Sequence, residues 1–272
     1  MPALSSDHWQ QFLEGRIDGL EDMRKRFRRL PKAPRCKLCQ APFEGIGGRL
    51  LRFTRFRRWQ ANSTLCSICV GSLDKSTGGV EIEATFVFAD IRGSTGVAER
   101  VRPAEFHAIL ERFYRVAAMA IDDAGGLVDK FLGDGVVAFF VPVFAGEGGP
   151  AASAIRAGQA ILAGVASGGT GRSGAVAEPW LPVGVGVHTG LAFVGVLGTE
   201  GGQLDFTGVG DAVNTAARLG SVAEAGELLV SVASAARAGL DTTGLEHRTL
   251  ELKGREEPIE VVVLGVRAAV AA

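Results

Sequence analysis

The chain has 272 residues, 47% of them hydrophobic and 22% charged, with a formal net charge of −1. This near balance of acid and base argues against a general polyanion binder. The length allows one full domain of about 190 residues plus a small module. The apolar stretch 183–197 is broken by glycines and a histidine, so no segment predicts a transmembrane helix. No signal-peptide pattern is seen either, and we expect a cytoplasmic protein.

Residues 1–30 predict an amphipathic helix. Their apolar side chains recur at helical spacing, namely Trp9, Phe12, Leu13, Ile17, Leu20, Met23, Phe27 and Leu30. The helix ends in the basic run 24–29. We expect it to contact a second copy of the chain or to dock on the following domain, in preference to lying on a membrane surface.

Residues 31–80 form a second segment that holds all four cysteines. They are arranged as two Cys-x-x-Cys pairs on either side of residues 40–65, namely Cys36, Cys39, Cys66 and Cys69. Two such pairs supply four thiolates for a tetrahedral structural zinc site, and a metal helps a module with so small a core to fold. An iron–sulfur cluster uses the same four ligands and stays open as an alternative. Two disulfides would suit a secreted protein, which nothing in the sequence suggests.

The stretch 49–59, between the cysteine pairs, interleaves arginines with leucine, phenylalanine and tryptophan. Such a pattern can bind nucleic acid or an anionic surface. We favour an amphipathic hairpin around the metal, because the whole chain is nearly neutral. Nucleic acid is therefore not expected as a partner.

Residues 81–272 open with an apolar strand, 84–89, that ends in Asp90. A helical region over 103–124, roughly one helix pair, follows and is closed by two glycines. Two short apolar strands then meet at a tight turn, 133–135, centred on Asp134. This order predicts a split βαβ unit whose third strand lies antiparallel beside the first, so that Asp90 and Asp134 meet at one sheet edge. There they could bind a divalent metal ion that also contacts a polyphosphate. Each aspartate taken singly would be interpreted as a turn or cap residue.

The remaining elements predict a two-layer α/β (α+β) domain. A helix is expected over 149–167 and a surface loop over 168–177. One strand is expected over 181–188 with 191–197 as its hairpin partner, and two further strands over 227–231 and 259–265.

Four segments of residues 81–272 resemble the class III nucleotide cyclases, and they come in the family's order. They are FADIRGST (88–95), KFLGD (130–134), DFTGVGDAVNTAAR (205–218) and LKGREEP (252–258). The resemblance implies a ferredoxin-like βαββαβ cyclase domain with an antiparallel-containing sheet. It also implies the conversion of ATP to 3′,5′-cyclic AMP and pyrophosphate, with two Mg²⁺ or Mn²⁺ ions per active site.

By the same resemblance, one set of residues holds the metal ions and another holds the phosphates. The metal ligands are the carboxylates of Asp90 and Asp134 and the backbone carbonyl of Ile91. The triphosphate lies on the backbone amides of Arg92, Gly93, Ser94 and Thr95, and Lys253 binds the γ-phosphate. Glycine at position 93 permits a close approach of the backbone.

The resemblance further implies that Asn214 orients the ribose and that Arg218 stabilises the transition state. Their spacing of four in a good helix-forming stretch puts both on one helix face. Without the motif, Arg218 would be an ordinary surface arginine. Lys130 and Thr207 match the positions that read the base, where lysine can donate to adenine N1 and threonine can accept from N6.

Lys130 and Asp134 are neighbours across one turn and cannot easily serve the same nucleotide. In the family they face opposite sites of a head-to-tail dimer, so a homodimer with two shared sites is implied. His188 is assigned a structural role, because a similar His-Thr-Gly in the family is structural. Two other functions stay open: a cyclase of the same fold that uses GTP or a pyrimidine nucleotide, and a metal-knuckle nucleic-acid-binding protein with a nucleotide-sensing domain.

Overall fold

The computed structural model describes residues 6–16, 19–28, 30, 34–51, 54, 56–59, 62–70, 78–167, 181–199, 204–255 and 257–265. It divides into two compact units. The first unit comprises Met1–Ile82, Pro142–Phe144 and Phe193–Val209. The second comprises Glu83–Val141, Ala145–Ala192 and Gly210–Ala272. The predicted boundary at residue 80 lies close to the first division, but two later segments group with the N-terminal unit.

The helices of the first unit are α1 (Ser6–Leu13), α2 (Leu20–Arg28), α3 (Gly45–Leu51) and α4 (Ser67–Val70). The single helix predicted over residues 1–30 is therefore two helices. Gly15 has φ 81° and Gly19 has φ 70°, a left-handed backbone that interrupts a right-handed helix. The apolar spacing continued past this break, so the pattern alone did not reveal it.

The strands are β1 (Gly78–Ile91), β2 (Leu127–Leu132), β3 (Gly135–Phe140), β4 (Val183–Gly198), β5 (Leu204–Val209), β6 (Glu227–Ser231), β7 (Glu246–Leu250) and β8 (Ile259–Gly265). They form one sheet in the order β2-β3-β1-β4-β6-β8-β7, with β5 paired to β4. β1 pairs antiparallel with β3, as predicted, and β4 pairs parallel with β6. The predicted mixed α/β fold with an antiparallel-containing sheet is confirmed.

The helices of the second unit are α5 (Ser94–Arg100), α6 (Pro103–Asp123), α7 (Gly149–Ala166), α8 (Asp211–Val222) and α9 (Val232–Ala238). The region 103–124 is one helix of 21 residues and not a helix pair. Pro103 lies in its first turn, and the side chain of Glu105 accepts from the backbone amide of Arg102. These start signals support one uninterrupted helix.

In the second unit, helices cover both faces of the sheet. α6, α7 and α9 pack over one face around Leu228 and Val230. The last turn of α8 packs over the opposite face around Leu229, as expected when successive strand residues alternate. A Cβ on Gly186 would lie 2.2 Å from the backbone nitrogen of Gly220, so α8 crosses β4 at nearly backbone contact.

Residues 191–197 are not a hairpin partner of 181–188. They continue the same strand, β4, and the hairpin partner of that part is β5. The sequence pair Thr189-Gly190 looked like a turn, but the Thr189 side chain is buried and bonded to the hydroxyl of Thr85 at 2.9 Å. The predicted loop 168–177 lies outside the described residues. Within the described ranges, no helix combines the length and the hydrophobicity needed to cross a membrane.

Candidate active site

The two carboxylates predicted to bind metal do lie at one edge of the sheet. Asp90 pairs with Gly135 in the register of β1 and β3, and Asp134 immediately precedes Gly135. The backbone N–H of Ile91 donates to the carbonyl of Asp134 at 3.1 Å. This hydrogen bond joins the end of β1 to the hairpin tip. It brings together two residues that are separated in the sequence by two helices and one strand.

Each carboxylate already has a partner. The guanidinium of Arg92 contacts the Asp90 carboxylate and also donates to the carbonyl of Ser221. The hydroxyl of Ser94 donates to the Asp134 carboxylate. The sequence placed Arg92 and Ser94 at the phosphates through their backbone amides and gave no indication of these side-chain contacts.

The electrostatics of this edge fit a divalent cation. Burial raises the pKa of the Asp90 carboxyl above its usual value, the Arg92 guanidinium opposes that rise, and the negative charge of Asp134 adds to it. Two partly buried carboxylates that repel each other gain from a bound cation. Hard oxygen ligands of this kind suit Mg²⁺ or Mn²⁺, which need few protein carboxylates when substrate phosphates complete the coordination.

In the predicted phosphate loop, the backbone at Gly93 is open to a ligand, whereas the amide of Arg92 already has a partner. Gly93 has φ 67° and a Cβ there would meet nothing within 4 Å, so the backbone turns sharply in open space. The amide of Arg92, however, donates to the carbonyl of Pro182 at 2.7 Å. The amide of Arg92 is therefore already paired, and phosphate binding stays a prediction for the amides of Gly93, Ser94 and Thr95.

Helix α8 carries the two predicted transition-state residues one turn apart. Asn214 is exposed, whereas Arg218 is partly buried, and its buried Nη1 atom has no hydrogen-bond partner among the residues that the structure describes. A buried guanidinium nitrogen without an acceptor costs free energy. An acceptor on a bound ligand would satisfy this nitrogen.

The loop that carries Lys253 is held against α8. Arg255 contacts Asp211 and donates to the hydroxyl of Thr215 at 2.8 Å. A Cβ on Gly254, which has φ 78°, would lie 3.3 Å from Nη2 of Arg218. The sequence gives no indication of these contacts of Arg255 and Gly254, since their partners are distant along the chain.

The two predicted base-reading residues occupy different strands and different units. Lys130 lies on β2, with 47% of its side chain exposed and its ammonium 3.7 Å from the Asp129 carboxylate. Near it, the rings of Tyr114 and Phe131 are 4.4 Å apart, and the Tyr114 hydroxyl donates to the carbonyl of Gly133. Thr207 lies on β5 in the first unit and is buried, 4% exposed.

His188 belongs to a buried row of hydrogen-bonded side chains. Its Nδ1 atom is 2.9 Å from the Ser231 hydroxyl, which is 2.9 Å from the Ser234 hydroxyl. Ser234 donates to Thr189 at 2.9 Å, and Thr189 is 2.9 Å from Thr85. The row joins β1, β4, β6 and α9, which is a structural arrangement.

The four cysteines of the first unit converge on one point. Their sulfur atoms all lie within 4.8 Å of one another, and all four residues are buried. Hydrogen bonds from Cys39 and the other two thiols hold the pKa of Cys36 far below its usual value. The backbone N–H of Cys66 also donates to the Cys36 sulfur at 3.3 Å, which favours a thiolate.

Comparison with known proteins identifies the family. The family model described as the adenylate and guanylate cyclase catalytic domain matches residues 81–265. The chain belongs to this family, and its catalytic domain is a nucleotide cyclase domain. The four motifs of the sequence analysis all fall within the matched range.

Similar proteins include an adenylate cyclase and an uncharacterized mycobacterial protein. An adenylate cyclase of Anabaena cylindrica is 30% identical over 190 residues, which cover 65% of this chain and 36% of that protein. The uncharacterized protein Rv1319c of Mycobacterium tuberculosis is 29% identical over 191 residues, 68% of this chain and 34% of that protein. The chain thus spans only about a third of these relatives.

Two solved structures support the same family. The guanylyl cyclase Cya2 is 29% identical with a TM-score of 0.59, over 71% of this chain and 97% of that one. The adenylyl cyclase CyaB from P. aeruginosa is 27% identical with a TM-score of 0.58, over 72% of this chain and all of that one. Similarity to both kinds of cyclase leaves the choice between ATP and GTP to the site residues.

Proposed function

We propose that this protein is an adenylate cyclase that converts ATP to 3′,5′-cyclic AMP and pyrophosphate. The observation that carries the proposal is the pair Asp90 and Asp134 at the β1–β3 edge, where burial and mutual repulsion favour a bound divalent cation. Ions bound there would lower the pKa of the ribose 3′-hydroxyl and neutralise charge on the phosphates.

The protein's own side chains supply the remaining chemistry. Arg218 has a buried nitrogen that no described residue pairs with, and it would donate to the negative charge that develops on the phosphorus oxygens. A preorganised donor of this kind stabilises a transition state strongly. Asn214 holds the ribose from the same helix face. Lys253, on the loop tied to α8 by Arg255, binds the γ-phosphate as a point charge.

The choice of ATP rests on Lys130 and Thr207. A lysine can donate to adenine N1 and a threonine hydroxyl can accept from the N6 amine, whereas guanine presents the opposite pattern at both positions. The double variant Lys130→Glu with Thr207→Cys should lower kcat/KM for ATP and raise it for GTP. An unchanged ATP:GTP ratio would refute base reading by these residues.

The first experiment is an assay of the purified chain with each of the four nucleoside triphosphates and Mg²⁺ or Mn²⁺, followed by mass analysis of the products. Cyclic AMP from ATP is the expected result. Cyclic GMP as the main product would reassign the substrate, and no cyclic product with any nucleotide would refute the proposed activity.

We also propose that two copies share each site, because Lys130 and Asp134 lie too close along one hairpin to serve the same nucleotide. Asp90→Ala removes a metal ligand and Asn214→Ala removes a ribose contact, so either homodimer should be inactive. In a heterodimer one site collects both lesions and the other collects none. A co-refolded equal mixture should then recover about a quarter of wild-type activity, since about half the dimers are mixed. Recovery of no activity would mean either that the sites are not shared or that a single site cannot work alone, and it would refute the mechanism as proposed.

A further inference from the structure

The spacing of the four cysteine sulfurs fits a single tetrahedral ion. With a Zn–S bond of about 2.3 Å, a tetrahedron has S–S edges of about 3.8 Å. The sulfurs of Cys39 and Cys66 are 3.7 Å apart, and no pair among the four exceeds 4.8 Å. A cluster that binds its thiolates through several different iron atoms would separate them further.

The backbone beside this centre holds a tryptophan. The N–H of Trp59 donates to the carbonyl of Leu65 at 2.8 Å, and Arg58 forms a β-bridge with Cys66. Trp59 therefore lies on a short ladder whose opposite side contains a cysteine of the centre. Its ring is 2% exposed, and its position depends on the same backbone that places Cys66.

The ring of Trp59 packs on Phe206 of β5, within the same compact unit. The two ring centroids are 5.6 Å apart, and Phe206 also contacts Trp9 at 6.0 Å and Phe12 at 6.4 Å. Phe206 is buried, 3% exposed, and directly precedes Thr207. Because adjacent strand residues face opposite ways, a ring packed on Phe206 fixes the strand from the side opposite the Thr207 side chain.

We propose that the four cysteines hold one zinc ion and that the zinc-stapled module, through Trp59 and Phe206, fixes the strand that presents Thr207 to the base. The part of this proposal that concerns recognition of the base by Thr207 rests on the proposed function. The module is small, and a module of this size depends on the metal for its fold. Loss of zinc therefore loosens the ladder, the tryptophan ring and β5 together.

The test compares the wild type with Cys36→Ser, Trp59→Ala, Trp59→Phe and a control, Phe56→Ala. Phe56 belongs to the same module but packs on Phe27, with ring centroids 5.0 Å apart. Elemental analysis should find one zinc per chain in the wild type and in the Trp59 and Phe56 variants. Cys36→Ser should lose it.

Amide hydrogen exchange tests the coupling without any activity. Exchange over β5 (204–209) should be about three- to tenfold faster in Trp59→Ala, and faster still in Cys36→Ser. It should be unchanged in Phe56→Ala and largely restored in Trp59→Phe. Strand β6 (227–231) serves as the internal reference.

Trp59→Ala and Cys36→Ser should raise KM for ATP about three- to tenfold and reduce the ATP:GTP preference, with kcat changed less than twofold. Phe56→Ala should leave both unchanged. Unchanged β5 exchange in both Trp59→Ala and Cys36→Ser would overturn the coupling. Iron in place of zinc, with visible absorbance, would overturn the metal assignment. A wild type with no cyclase activity would refute the proposed function alone, because the exchange experiment would still decide the coupling.

Discussion

Neutral His188 should contribute to stability in a way that disappears in acid. Burial lowers its pKa to about 4, with the positive charge of Arg255 acting in the same direction and Asp211 opposing. In the unfolded chain a histidine titrates near 6.5, so the unfolded state takes up the proton first. The contribution is fully present above pH 6.5 and is lost as the pH falls toward 4.

The size of the effect follows from the difference between the two pKa values. Each pKa unit corresponds to about 1.4 kcal/mol. The free energy of unfolding should therefore fall by about 2 kcal/mol between pH 7 and pH 5, and by about 3 kcal/mol at pH 4, from His188 alone. This is a large share of the stability of an ordinary domain.

The substitution His188→Asn removes the titration and keeps a side chain that can hydrogen-bond to Ser231. Urea unfolding at pH 7 and pH 5 should show that the variant loses about 2 kcal/mol less than the wild type over this range. His107→Asn, on the exposed surface of α6, is the control and should follow the wild type. Parallel losses in all three proteins would refute the reasoning.

Two further predictions concern the active site. The folded-state pKa of Asp90 is raised, so its ionised form costs stability at neutral pH. Asp90→Asn should therefore raise the melting temperature of the metal-free protein and abolish turnover. A lower melting temperature would contradict this. Gly254→Ala should lower kcat severalfold, because a Cβ there lies 3.3 Å from the guanidinium of Arg218. Gly244→Ala is its matched control, since Gly244 has φ 76° and open space around it: both variants should lose about 1–2 kcal/mol of stability, and an equal kcat in both would argue against the contact.

Features of the fold that depend on a few neighbouring residues could be predicted from the sequence. The strand ending in Asp90 and the glycine-flanked turn at Asp134 are each encoded within a few residues, and strand alternation then fixes their register. The antiparallel pairing of β1 and β3 follows from it. Each Cys-x-x-Cys turn is local as well, and the presence of two such turns indicated a shared metal site.

Features that depend on distant partners could not be predicted. Thr189-Gly190 resembles a turn until Thr85, 104 residues earlier, supplies a buried hydroxyl partner. Arg255 binds Asp211 from 44 residues away, and nothing in its neighbourhood marks it. Trp59 belongs to a stretch whose composition suggested nucleic acid or a hairpin, and only the folded chain shows its ring against Phe206.

In the row of side chains beside His188, the donor and the acceptor of each hydrogen bond between His188 and Thr189 can be assigned. The Ser234 hydroxyl gives its one hydrogen to Thr189, so Ser231 must donate to Ser234. Ser231 then has no hydrogen left for the ring, and Nδ1 of His188 must be the protonated nitrogen. The lone pair therefore lies on Nε2. A proton taken up in acid adds there and leaves the donors from His188 to Ser234 unchanged, so one tautomer of the imidazole is consistent with the direction of all three hydrogen bonds between His188 and Thr189.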